Sequence, residues 1–125
     1  MFCLVFVIFL MNFLANKFYW YYSVWYLDMI MHFLGGVWVG LASLYIFQPQ
    51  ELFFGSIIKL LLVVLLVGVG WEVYEVFVNE VIAQNSLDFL DITSDVFFDL
   101  SGGLCAILYL YLLVPLKNQR NNSKD

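Results

Sequence analysis

Positive charge is scarce in this sequence. Its 125 residues include five lysines and arginines, and none falls between Lys59 and Lys117. A nucleic-acid-binding role, which needs a basic face, is excluded on that ground. Charged residues of either sign make up only 12% of the chain, too few for a soluble domain of this size. Cysteine occurs twice, as Cys3 and Cys105 in apolar runs near opposite ends, so no metal knuckle or redox motif is spaced out. Both read as packing residues. Proline also occurs twice, at Pro49 and Pro115, which leaves long stretches free of helix breakers. With no internal repeat and no low-complexity linker, the chain reads as one domain.

What fills the sequence instead is apolar. Hydrophobic residues reach 64%, aromatics 20%, and the mean hydropathy is +0.92. These values imply an integral membrane protein of the all-α class, a polytopic helical bundle of about four transmembrane helices. The spans are expected at 1–22, 28–47, 55–78 and 94–114, giving a membrane domain over 1–116 and a polar cytoplasmic tail over 117–125. The first span needs the aromatic run that follows Ala15, because fifteen residues at about 1.5 Å each fall short of a hydrocarbon core roughly 30 Å thick. It lacks a basic leader and a small-residue cleavage site, so an uncleaved signal anchor fits better than a cleaved signal peptide. Gln48-Pro49-Gln50 marks a loop, Pro115 ends the fourth span, and the mixed segment 79–93 is expected to contain a short interfacial helix.

Orientation follows from the few basic residues. Lys59, Lys117, Arg120 and Lys124 belong to one side and only Lys17 to the other, which places both termini in the cytoplasm, in a plasma (inner) membrane. The aromatic cluster from Phe18 to Tyr26 then forms a belt at the outer interface.

Against this apolar background stand one histidine and five carboxylates: Asp28, His32, Glu72, Glu75, Asp95 and Asp99. An ionisable group at membrane depth costs several kcal/mol on most scales, so it persists where it pairs, lines a wet cavity or binds something. The topology brings all six to the outer end of the bundle. Asp28 and His32, like Asp95 and Asp99, are four residues apart, and Glu72 and Glu75 are three apart, so each pair shares one helix face. Gly36 and Gly40, with Gly102 and Gly103, lie just below and allow close helix approach.

So many carboxylates cannot all stay ionised within a few ångströms of one another at low dielectric. A cation must enter, or protons must be retained. A divalent metal ion is the simplest solution: carboxylates with one imidazole suit zinc, manganese, iron or magnesium. All six residues are candidate ligands, and His32, Glu72 and Asp95 are the candidate catalytic residues. This many ligands admits two metals, although the Glu-x-x-His signature of di-iron bundles is absent. No organic cofactor is indicated.

Plainer readings accompany each residue. Asp28 is equally placed to cap the second helix, and for Asp95, beside Ser94, capping of the fourth helix competes with a role in the site. Glu72, Glu75 and Asp99 are harder to explain as caps. Asp88, Asp91 and Glu80 are expected in a solvated loop, with Asp91 able to join the rim of the site, and Glu51 in the cytoplasmic loop. Trp38, Trp71 and Tyr74 read as packing or anchoring residues.

Three motifs carry a family resemblance. Asp28-Met-Ile-Met-His32-Phe33-Leu-Gly35-Gly36, Trp71-Glu72-Val-Tyr-Glu75 and Asp95-Val-Phe-Phe-Asp99-Leu-Ser-Gly102 resemble, in order, the pattern of the VanZ-like and YjdF-like small membrane proteins. The likeness covers roughly residues 28–114. VanZ-like proteins tend to carry an arginine shortly before the last aspartate; this chain has none, and its Glu75 and Asp99 resemble the more acidic YjdF-like version. What the resemblance implies is a polar site at these positions and no particular substrate.

Three functional classes follow. The first is a metal-dependent hydrolase or transferase acting at the outer leaflet on a lipid or envelope precursor. The second is a cation or proton pathway, which with four spans would need a homo-oligomer. The third is a non-catalytic envelope-associated protein whose acids pair with Asn79, Ser101 and Tyr74.

Overall fold

The computed structural model describes residues 2–24, 26–48, 54–78 and 88–122. The helices are α1 (Phe2–Lys17), a short α2 (Trp20–Ser23), α3 (Leu27–Phe47), α4 (Phe54–Phe77) and α5 (Phe89–Asn122), and no strand occurs among the described residues. The all-α bundle is therefore as expected. The spans Leu27–Phe47, Phe54–Phe77 and Phe89–Leu112 are each long and apolar enough to cross a membrane, whereas the apolar part of α1, Cys3–Ala15, is shorter.

The beginning of the chain differs from expectation. A single span over 1–22 gives way to two helices, because Tyr19 adopts a left-handed backbone with φ 56° and ends the hydrogen-bonding run between them. The aromatic run supplies no glycine or proline to announce that break. The 16 residues of α1 reach about 24 Å, short of a hydrocarbon core of about 30 Å.

Both ends of the last helix also lie further out than the sequence suggested. α5 begins at Phe89 because Asp88 caps it, its Oδ1 accepting the amide hydrogens of Leu90 (3.0 Å) and Asp91 (3.5 Å). Asp88 thus lies just outside the helix as its cap, and Asp91 is a first-turn helical residue and no part of a loop. Asp95 is no cap either, and Ser94 donates its hydroxyl to the Asp91 carbonyl at 2.8 Å. At the other end the helix continues through Pro115 to Asn122. Proline deletes one intrahelical donor, and the neighbouring turns keep their own bonds. Residues 79–87 of the expected interfacial segment, with Asn79 and Glu80, lie outside the described residues, as do Pro49, Gln50, Glu51 and the last three residues of the tail.

Glycine decides how the three long helices pack. α3 and α5 share the most extensive interface, with α4 against both, and α1 and α2 contact α3. A Cβ added at Gly36 would collide with the Asp99 backbone carbonyl, and one at Gly102 with the Phe33 carbonyl, so the two backbones touch directly. One turn on, a Cβ at Gly40 would lie 2.8 Å from the Ala106 Cβ. From His32 beside Asp95 and Asp99 to Gly40 beside Gly103 and Ala106 the contacts rise together in number, so α3 and α5 run parallel. α4 runs against them, with Val64 beside Gly103 and Gly68 beside Asp99. Its buried residues Leu60, Val64, Gly68 and Glu72 recur every four positions as one inward stripe.

That stripe divides the bundle lengthwise. Leu44, Leu60, Val64, Ala106 and Ile107 form an apolar core toward one end. Glu72 continues the same stripe into the polar end, where α3 and α5 begin and α4 finishes.

Candidate functional site

Each ionisable residue reaches the polar end from a defined helical position. Asp28 is the second residue of α3, and no side-chain cap bond forms at its start, where Tyr26 is the N-cap, so Asp28 does not serve as the cap. His32 follows one turn later on the same face. Asp95 and Asp99 occupy the second and third turns of α5, and Glu72 and Glu75 the last two turns of α4.

His32 is the hub. Its Nδ1 lies 3.3 Å from Asp99 Oδ2, and its Nε2 lies 3.5 Å from Glu72 Oε1, 3.9 Å from Asp28 Oδ1 and 3.9 Å from Asp95 Oδ2. One imidazole thus faces four carboxylates contributed by three helices. His32, Glu72, Asp95 and Asp99 are only 6%, 5%, 2% and 7% exposed, while Asp28 and Glu75 are half-buried at the rim. Glu75 joins through Glu72: one ligand atom from each of His32, Glu72 and Glu75 fits within a 4.8 Å span, as does one from each of Asp28, His32 and Asp95.

The two ring nitrogens have different surroundings. A proton on Nδ1 supplies the donor for the 3.3 Å contact with Asp99 and leaves the Nε2 lone pair directed at the other three carboxylates. The same arrangement orients metal-binding histidines, in which a carboxylate on the far nitrogen fixes tautomer and ring angle. Two buried oxygens, Glu72 Oε1 and Asp95 Oδ1, have no hydrogen-bond partner among the described residues. Leaving such atoms unsatisfied costs about 1–3 kcal/mol each, more when charged.

Charge makes the same demand. Every carboxylate–cation contact at salt-bridge distance among the described residues is made by His32. One imidazolium cannot offset this many carboxylates, so protons or a further cation must share the space.

The hydroxyls named as alternative partners are engaged elsewhere or point away. Ser101 donates to the Phe97 carbonyl at 2.8 Å, satisfying itself within its own helix, and Tyr74 is exposed beside Trp71 with ring centroids 5.5 Å apart.

One contributor escaped the sequence reading. Gly68 sits one turn before Glu72, and a Cβ there would collide with Asp99 Oδ2 and lie 3.2 Å from its Cγ. The missing side chain is the space that the Asp99 carboxylate occupies under His32. The signal was present as a glycine at i−4 from a buried glutamate, but one glycine in an apolar helix reads first as helix packing.

This chain belongs to the family described as "Predicted membrane protein (DUF2238)", whose model matches residues 1–115. No curated protein and no solved structure matches it.

Proposed function

We propose that the polar end of the bundle binds a divalent metal ion and that the chain is a metal-dependent membrane hydrolase or transferase acting on a lipid or envelope precursor. The observation that carries this reading is the arrangement around His32 Nε2, with Glu72 Oε1 at 3.5 Å and Asp28 Oδ1 and Asp95 Oδ2 at 3.9 Å. Donor atoms about 2.1 Å from a tetrahedral zinc ion stand about 3.4 Å apart, so the three histidine-to-carboxylate separations need to contract by about 0.1–0.5 Å. They are too long for strong direct hydrogen bonds and suit atoms converging on a shared ion.

The roles divide by position. His32, Asp28 and Asp95, one donor atom of each within 4.8 Å of the others, are the ligands together with Glu72, which reaches the same Nε2 at 3.5 Å, and Asp99 holds the ring. Glu75, half-buried at the rim and within reach of the same imidazole, is the spare carboxylate for general-base work. A bound metal would supply an activated water and polarise a phosphoryl or carbonyl oxygen. Carboxylate-rich donors with one imidazole admit zinc, manganese, iron and magnesium.

The distribution of the basic residues supports a topology with both termini in the cytoplasm of a plasma membrane, in which the site faces the extracytoplasmic side. The resemblance of the Asp28–Gly36, Glu72–Glu75 and Asp95–Gly102 motifs to VanZ-like and YjdF-like proteins agrees with one polar site built from these three helices.

A cation or proton pathway draws less support. Beyond the cluster the core is Leu44, Leu60, Val64, Ala106 and Ile107, and the one buried polar residue toward that end among the described residues is Ser43. A single hydroxyl does not continue a route across the membrane. Titration of purified protein with zinc and manganese, comparing wild type with Glu72→Gln, tests the proposal. Saturable binding that the variant weakens at least tenfold supports it, and equal binding by both proteins overturns it.

A further inference from the structure

Between α4 and α5 runs an open groove of about 230 Å³, lined by Val69, Glu72, Val73, Val76, Ile92 and Val96. Five of these six residues are aliphatic. The sixth, Glu72, belongs to the cluster around His32, so groove and site share a wall. The groove is thus an apolar slot with one carboxylate in it, within spans long and apolar enough to cross a membrane.

We infer that this groove holds the hydrocarbon tail of a membrane lipid that enters sideways between α4 and α5 and presents its polar head to the His32 cluster. The inference rests on the metal reading above for the head and narrows its substrate class. The occupant is a membrane-resident amphiphile, and a water-soluble envelope precursor is disfavoured.

Three features fix that choice. From Val69 to Val76 the wall extends about 10 Å along the helix axis, long enough to run beside a segment of an extended chain. Its volume lies below the roughly 300–1,000 Å³ of ordinary small-molecule pockets, so it accommodates a single tail. Valine side chains offer a tail dispersion contacts and no hydrogen bonds, leaving Glu72, with an ion where one is bound beside it, as the polar anchor for an oxygen-bearing head. Lateral entry also spares the head a crossing of the apolar core below.

Photolabelling of the full chain tests this. The protein is reconstituted in nanodiscs of phosphatidylethanolamine and phosphatidylglycerol containing a phospholipid with a diazirine-bearing acyl chain, illuminated, and mapped by chymotryptic peptides. Adducts at Val76, Ile92 and Val96, each less exposed than Leu62, Leu66, Leu104 and Leu108 on the same helices, are expected at roughly threefold or more the level at those four leucines. Val96→Phe, and separately Val73→Phe, should bring the groove down to that background level. Even labelling along both helices overturns the inference. So does enrichment that neither substitution reduces, or a cross-link between two copies seated in the groove. Metal content measured on the same samples separates the two proposals. Bound metal without groove enrichment defeats the lipid inference alone, whereas enrichment without metal supports the groove and defeats the metal reading.

Discussion

Gly68 and Asp99 share one small volume: a Cβ on the glycine would strike Asp99 Oδ2, the oxygen that faces His32 Nδ1. The absence of a side chain on α4 therefore sets the position of a carboxylate on α5, which in turn orients an imidazole on α3. Three helices are coupled through one atom.

Gly68→Ala should affect the site more than the fold. The group it would hit is the end of a short side chain, which can rotate away, so the expected destabilisation lies within the about 1–3 kcal/mol of ordinary overpacking. The rotation releases His32. Zinc or manganese affinity should fall at least tenfold, as read by titration, while thermal unfolding in detergent shifts only modestly.

Gly36→Ala should do the reverse. Here the added Cβ meets the Asp99 backbone, which no rotamer change relieves, so the α3–α5 interface must open. The loss should reach or exceed the upper end of about 1–3 kcal/mol and appear as poor yield or a strongly lowered unfolding temperature. Gly40→Ala, whose added Cβ meets the Ala106 Cβ at 2.8 Å and the Gly103 Cα at 3.3 Å, overlaps less than at Gly36 and should be milder. Ranking the two variants by thermal stability checks the pairing.

Asp99→Asn separates positioning from ligation. An amide oxygen still accepts from His32 Nδ1, but it pulls less electron density through the ring and holds the tautomer less firmly. Metal affinity should drop about 10- to 100-fold with stability nearly unchanged. Asp99→Leu should lose binding altogether, and comparing the two titrations tests the assignment.

Asp88→Ala is the control outside the site. It removes the acceptor for the Leu90 and Asp91 amides, and should cost about 0.5–2 kcal/mol of stability while leaving metal affinity unaltered. A large change in affinity would mean that the start of α5 is part of the site.

How much was legible in the sequence depended on contrast. Asp28 with His32, Glu72 with Glu75, and Asp95 with Asp99 stood out because ionisable groups in apolar helices are expensive, and helical spacing then fixed their faces. Gly36 and Gly102 could be marked as sites of close approach for the same reason of spacing. The partners of each face were a different matter. Which carboxylate takes Nδ1 and which take Nε2 depends on helix rotation and offset, which no local pattern encodes. Boundaries failed where the deciding residue was ordinary. Asp88 looked like one more loop acid, and nothing in an unbroken aromatic run marked Tyr19 as left-handed. Pro115 misled in the other direction, since a strong breaker proved compatible with a helix continuing to Asn122.

The most direct test of the central claim is elemental analysis of the purified wild-type chain beside Glu72→Gln and His32→Ala. About one equivalent of a divalent metal per wild-type chain is expected, with far less in either variant and a wild-type unfolding temperature that chelator lowers. Wild-type protein that is folded, free of stoichiometric divalent metal after loading with zinc, manganese, iron and magnesium in turn, and indifferent to chelator would contradict it.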